Sequence, residues 1–70
     1  MSLTLYTPDG LRVIDSSEVK EVHRLDDGDD NAHTIAKATV LLKKDNELLT
    51  GNCRADHLVK LMARVPPVRR

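Results

Sequence analysis

Cys53 and His57 are the one pair of chemically capable side chains in this sequence whose spacing could join them. Residues four apart on a helix share a face, and the sequence places Cys53 at the first helical position. There the helix N-terminus lowers a thiol's pKa, and a neighbouring imidazole can share its proton. The chemistry would be that of a reactive thiol or half of a metal site. A nucleophilic site also needs an orienting group and an oxyanion hole. No glycine-rich motif supplies one, because Gly10, Gly28 and Gly51 stand alone. The plainer reading is a small buried thiol beside an ordinary surface histidine. The expectation is therefore that the protein is not an enzyme.

Other chemistries are weaker still. A structural zinc site takes four ligands in short-spaced pairs, whereas His23, His33 and His57 are scattered singly around one cysteine. The acidic run Asp26-Asp27-Gly28-Asp29-Asp30 invites a calcium reading. Counted back from Gly28, however, the first and third ligand positions of an EF-hand loop would fall on His23 and Leu25, and the closing glutamate on Thr34. A solvated loop fits better, and no metal or cofactor is expected. Arg54, Lys60, Arg64, Arg69 and Arg70, with Lys43 and Lys44, could line the last helix as a basic stripe. A single aromatic, Tyr6, gives no stacking platform for nucleic acid, and the net charge of zero gives no global pull toward a polyanion.

Any such site must be positioned by few elements. Leu3-Thr4-Leu5-Tyr6-Thr7 reads as a strand and Thr7-Pro8-Asp9-Gly10 as a turn, with proline presetting φ and glycine accepting a positive one. Leu11-Arg12-Val13-Ile14 returns, which makes a hairpin. Asp15 and Glu18 have capping-box spacing. The segment after them reads as a turn followed by a strand, with a short helix over 16–24 as the alternative. Residues 26–31 are a loop. Thr34–Lys43 is the longest strand candidate, with Ala36, Ala38, Val40 and Leu42 on one face and Ile35, Lys37, Thr39 and Leu41 on the other. Lys44-Asp45-Asn46 is a tight turn, and Glu47–Thr50 closes a second hairpin. Gly51 breaks the strand, Asn52 caps a helix, and Ala55, Leu58, Val59 and Met62 form its buried stripe from Cys53 to Arg64. Pro66-Pro67 ends it, and 66–70 is expected to be a disordered basic tail.

Seventy residues make one domain with a thin core. That core must come from Leu, Val, Ile and Ala, since Phe and Trp are absent. One cysteine permits no internal disulfide, which points to a reducing, cytoplasmic home. No stretch is long and apolar enough to span a membrane, and the N-terminus does not read as a signal peptide. Residues 1–31 carry three cations against eight acids and residues 32–70 the reverse, net −5 and +5. Either the fold interleaves the halves, or a dipolar surface steers a partner.

The stretches Leu5–Ile14 and Thr39–Leu49, hairpins separated by a polar-capped segment and followed by a helix, resemble the layout of the short flagellar swarming-motility protein family. The resemblance covers most of the chain but rests on element order. Asn46 stands where that family has a turn glycine, and no functional residue is carried over from it.

The sequence thus specifies an α+β fold: a small antiparallel sheet from two hairpins, with one C-terminal amphipathic helix on one face, over residues 1–65. The function it suggests is that of a small accessory or regulatory protein acting by protein–protein contact, with self-association into a homodimer. Ile35, Leu41 and Leu61, with Lys60 and Arg64, are the residues expected at the contact. Two alternatives are a nucleic-acid-associated regulator using the basic helix and tail, and a thiol or metal site at Cys53 and His57.

Overall fold

The structure is a computed structural model that describes residues 1–65; the expected tail, 66–70, lies outside the described residues. Five strands run β1 Ser2–Thr7, β2 Gly10–Asp15, β3 Val19–Arg24, β4 Ile35–Leu42 and β5 Leu48–Arg54, followed by one helix, α1, Ala55–Arg64. All strand pairs are antiparallel, in the order β2-β1-β5-β4-β3. The acidic and basic halves of the chain therefore interleave, because β4 and β5 lie between β1 and β3.

The first hairpin forms as its turn chemistry dictates. Gly10 takes φ 127°, and Thr7 closes the turn, its hydroxyl donating to the Gly10 carbonyl at 2.8 Å and accepting the Asp9 N–H at 3.2 Å. The middle segment is a single 3₁₀ turn, Ser16–Glu18, and then a strand. Its capping box is complete: Asp15 accepts from the Ser17 N–H, and Glu18 accepts from the Asp15 N–H. In the second hairpin Asp45 and Asn46 both adopt left-handed backbone (φ 58° and 49°), the signature of a type I′ turn, and the Glu47 N–H reaches back to Lys44 O at 3.3 Å.

Two expectations fail around Gly51. The strand does not break there but continues to Arg54, so Asn52 is a strand residue opposite Tyr6 and Lys37, not a helix cap. The reason is spatial. A Cβ on Gly51 would sit 2.3 Å from the Tyr6 carbonyl oxygen, so the glycine lets β1 and β5 approach. β4, eight residues long, needs a partner of similar length, and β5 supplies it from Leu48 to Arg54. The helix then starts at Ala55, whose N–H donates to Thr34 O at 2.9 Å.

The second failure is helix phase. The buried residues of α1 are Ala55, Leu58 and Leu61, with Val65 just beyond. Val59 and Met62 are 36% and 37% exposed, while Leu61 is 0% exposed. Ala55 and Leu58 face inward as expected, but the buried stripe continues on the i+3 side through Leu61 and not on the i+4 side through Val59 and Met62. The core joins these to Leu3, Leu5, Ile14, Val19, Val22, Ala36, Ala38, Val40, Leu42, Leu49 and Cys53. Ala36 and Ala38, fully buried, let the helix lie close to β4. No helix among the described residues is long and apolar enough to cross a membrane.

Candidate functional site: the open edge and outer face of the sheet

One ten-residue helix covers one face of a five-stranded sheet. It rests on β1, β3, β4 and β5. By strand alternation the opposite face carries Thr4 and Tyr6 from β1, Leu11, Val13 and Asp15 from β2, Glu21 and His23 from β3, Ile35, Lys37, Thr39 and Leu41 from β4, and Leu48, Thr50, Asn52 and Arg54 from β5. Tyr6, Leu11, Val13, Ile35 and Leu48 are each more than half exposed, Ile35 at 62%. Toward the second hairpin turn the cross-strand neighbours match, Leu41 opposite Leu48 and Thr39 opposite Thr50 with hydroxyls 3.4 Å apart, while at the other end Lys37 faces Asn52 and Ile35 faces Arg54.

The β2 edge is unusual for an edge strand. Its register with β1 is regular over all six pairs, and only Ile14 is buried. The Ser16 N–H donates to Met1 O at 2.8 Å, which fixes the phase of the ladder. By alternation Ile14, Arg12 and Gly10 bond to β1, so the N–H and C=O groups of Leu11 and Val13 point outward. No strand lies beyond them among the described residues. Natural edges are guarded by bulges, prolines or charges. Here the charges are Arg12, whose guanidinium is held by Glu47 at 3.1 and 3.3 Å, and Asp15 at the strand's end, which lies 3.7 Å from the Met1 ammonium. The Arg12–Glu47 pairing raises the Arg12 pKa and lowers that of Glu47, the hydrogen bond being the main cause in each.

The residues expected at a contact are not all brought together. Ile35 and the half-buried Leu41 lie on the outer face, as their parity predicted. Leu61 does not: it is core, so its place in a partner-covered patch is withdrawn. Lys60 and Arg64 are exposed on α1, across the sheet from Ile35. Sequence reasoning missed Leu11, Val13 and Leu48. The signal for the first two was available: they share a parity opposite to that of Ile14, so one sheet face could not bury all three.

Cys53 also moves. It is the next-to-last residue of β5 and fully buried, not the first residue of a helix. Burial pushes its thiol up, opposite to the lowering expected at a helix N-terminus. His57 is half-buried on α1. No three His, Cys, Asp or Glu side chains gather closely enough to hold a metal ion among the described residues. The acidic loop has a structural task. Arg24, 12% exposed, donates to Asp26 at 2.8 Å, to Asp30, and to the Asp29 carbonyl at 2.9 Å, which ties residues 26–30 to the end of β3.

No protein-family model matches the chain, and neither a curated protein nor a solved structure does. The layout shared with the short swarming-motility proteins therefore remains a likeness of element order.

Proposed function

We propose that this protein is a small non-catalytic accessory protein that works by protein–protein contact, and that the surface it uses is the β2 edge with the adjoining outer sheet face. Its first partner is a second copy of the chain. The observation that carries this reading is β2 itself: a regular edge strand whose Leu11 and Val13 present unpaired backbone groups outward and apolar side chains to the open face.

An antiparallel edge is self-complementary under a two-fold axis, so two β2 strands can exchange hydrogen bonds without further adaptation. Centring the axis on Val13 sets Arg12 opposite Ile14 of the other copy and avoids facing two guanidinium groups. Pairing there would extend the apolar strip of Leu11, Val13 and Tyr6 across both copies. The formal net charge of zero adds no repulsion between them. The nucleic-acid reading has less support. Lys60 and Arg64 lie on the helix, whereas Tyr6, the one aromatic, is on the opposite face of the sheet. The thiol reading loses its premise with Cys53 inside the sheet.

Light scattering on the wild type and on Val13→Pro tests the proposal. Proline removes an N–H that β1 does not use, so the monomer fold should persist by circular dichroism. The wild type should give twice the 7.8 kDa chain mass at high micromolar concentration, and the folded variant the single mass. A monomeric wild type, or a folded variant that still dimerises, would overturn it.

A further inference from the structure

A second surface lies where the 3₁₀ turn that follows β2, the start of β3, the end of β4 and the C-terminus of α1 converge. They enclose an open hollow of about 450 Å³. Lys20, Lys43 and Arg64 stand around it, Ser16 and Ser17 form one wall, and Val19 and Val65 complete the lining. No lining residue is a carboxylate. None of the three cations is in an ion pair among the described residues.

Each cation is delivered by a different element, and backbone bonds fix their spacing. The Lys43 N–H donates to Glu18 O at 2.9 Å, joining the end of β4 to the 3₁₀ turn. The Val65 N–H donates to Leu61 O at 3.0 Å, closing the helix directly after Arg64. The Lys20 ammonium donates to Asn46 Oδ1 at 3.3 Å, a neutral acceptor that leaves its charge unmatched. Two carboxylates flank the serine wall in sequence: Asp15 accepts from Ser17 and lies 3.7 Å from the Met1 ammonium, and Glu18 accepts the Asp15 N–H at 3.2 Å.

One feature opposes an anion. The C-terminus of α1 opens near the hollow and carries about half a negative charge. Three full positive charges outweigh it by about sixfold, and their mutual repulsion is relieved most by a ligand of two or more negative charges. Lysine serves such ligands as a point charge and arginine as a two-pronged donor, with the Ser16 hydroxyl as a further donor. The volume falls in the range of small-molecule sites. We propose that this hollow binds a small multiply charged phosphoryl anion, of the class of pyrophosphate and the diphosphate of a nucleotide.

Inorganic pyrophosphate, titrated into the ¹⁵N-labelled full chain at low ionic strength, tests this. Saturable amide shifts should centre on Ser16, Ser17, Lys20, Lys43 and Val65. Lys43→Gln and Arg64→Gln should each weaken binding about fivefold, as loss of one partly exposed charge-assisted contact does. Lys37→Gln, on the outer sheet face, should leave it unchanged. The proposal is overturned by shifts spread evenly over Lys37, Lys60 and the hollow, by binding indifferent to both Gln variants, by citrate binding as tightly as pyrophosphate, or by an RNA oligonucleotide occupying these residues when pyrophosphate does not.

Discussion

The two edges of this sheet are built from strands of equal length, yet they end in opposite ways. β3 is finished. Val19 and Val22 are buried under the helix, the register shifts between Val19 and Glu21, and Arg24 binds the following loop across its end. β2 is unfinished: its register is unbroken, one residue is buried, and two aliphatic side chains face water beside unused backbone groups. A bulge and a charge cluster are the usual means of stopping a sheet from growing. Their presence on one edge and their near absence on the other are the contrast on which the proposed β2 contact rests.

The largest expected effect falls on the joint between these two regions. β1 holds β2 to the rest of the sheet through β5, and Gly51 sits at that contact. Gly51→Ala places a methyl group 2.3 Å from a backbone oxygen that cannot rotate away. It should cost more than about 4 kcal/mol, enough to unfold so small a domain, and urea melts followed by circular dichroism would read it. Unchanged stability would show that the close approach of β1 and β5 is not needed.

The helix offers a smaller and more graded test of which side is covered. Leu61→Ala should cost about 2–5 kcal/mol as a buried truncation, whereas Met62→Ala, one residue on, should cost less than about 1 kcal/mol. Thermal or chemical melts of the two variants compare them, and equal losses would contradict the helix phase.

Smaller again is the effect of acid on the clasp at the end of β3. Hydrogen bonding to Arg24 holds the Asp26 carboxyl below its ordinary range. A carboxyl depressed by folding stabilises the native state above its unfolded pKa, and that stabilisation is lost as pH falls through the folded value. The loss should begin below about pH 4. Asp26→Asn should lower the melting temperature at neutral pH and leave it nearly unchanged at pH values where Asp26 is already protonated. A variant as destabilised in acid as at neutrality would remove Asp26 from the clasp.

The sheet was legible wherever the pattern was local. Pro8-Asp9-Gly10 set the first turn, Asp15 with Glu18 marked the 3₁₀ cap, and the alternation of Ala36 to Leu42 identified the inward face of β4. What was not legible depended on distant partners. Gly51 looks like a strand breaker in one dimension, because the carbonyl that requires a glycine belongs to Tyr6, forty-five positions earlier. With the helix starting at Ala55, Cys53 passed from a helix N-terminus into the core, and which flank of Ala55 and Leu58 is covered, Leu61 or Val59 and Met62, was decided by how the helix lies on the sheet. The open edge was hidden for the same reason. Leu11 and Val13 announce a strand, but only the order β2-β1-β5-β4-β3 reveals that nothing follows β2 among the described residues.

Amide hydrogen exchange, measured residue by residue at low and high protein concentration, tests the contrast between the edges most directly. In the isolated chain the N–H groups of Leu11 and Val13 at one edge, and of Val22 and Arg24 at the other, point away from their neighbouring strands. Exchange at Leu11 and Val13 should slow as concentration rises while Val22 and Arg24 stay unchanged. Leu11 and Val13 amides that exchange as fast at millimolar as at micromolar concentration, or slowing confined to Val22 and Arg24, would contradict the assignment of β2 as the edge that a second copy completes.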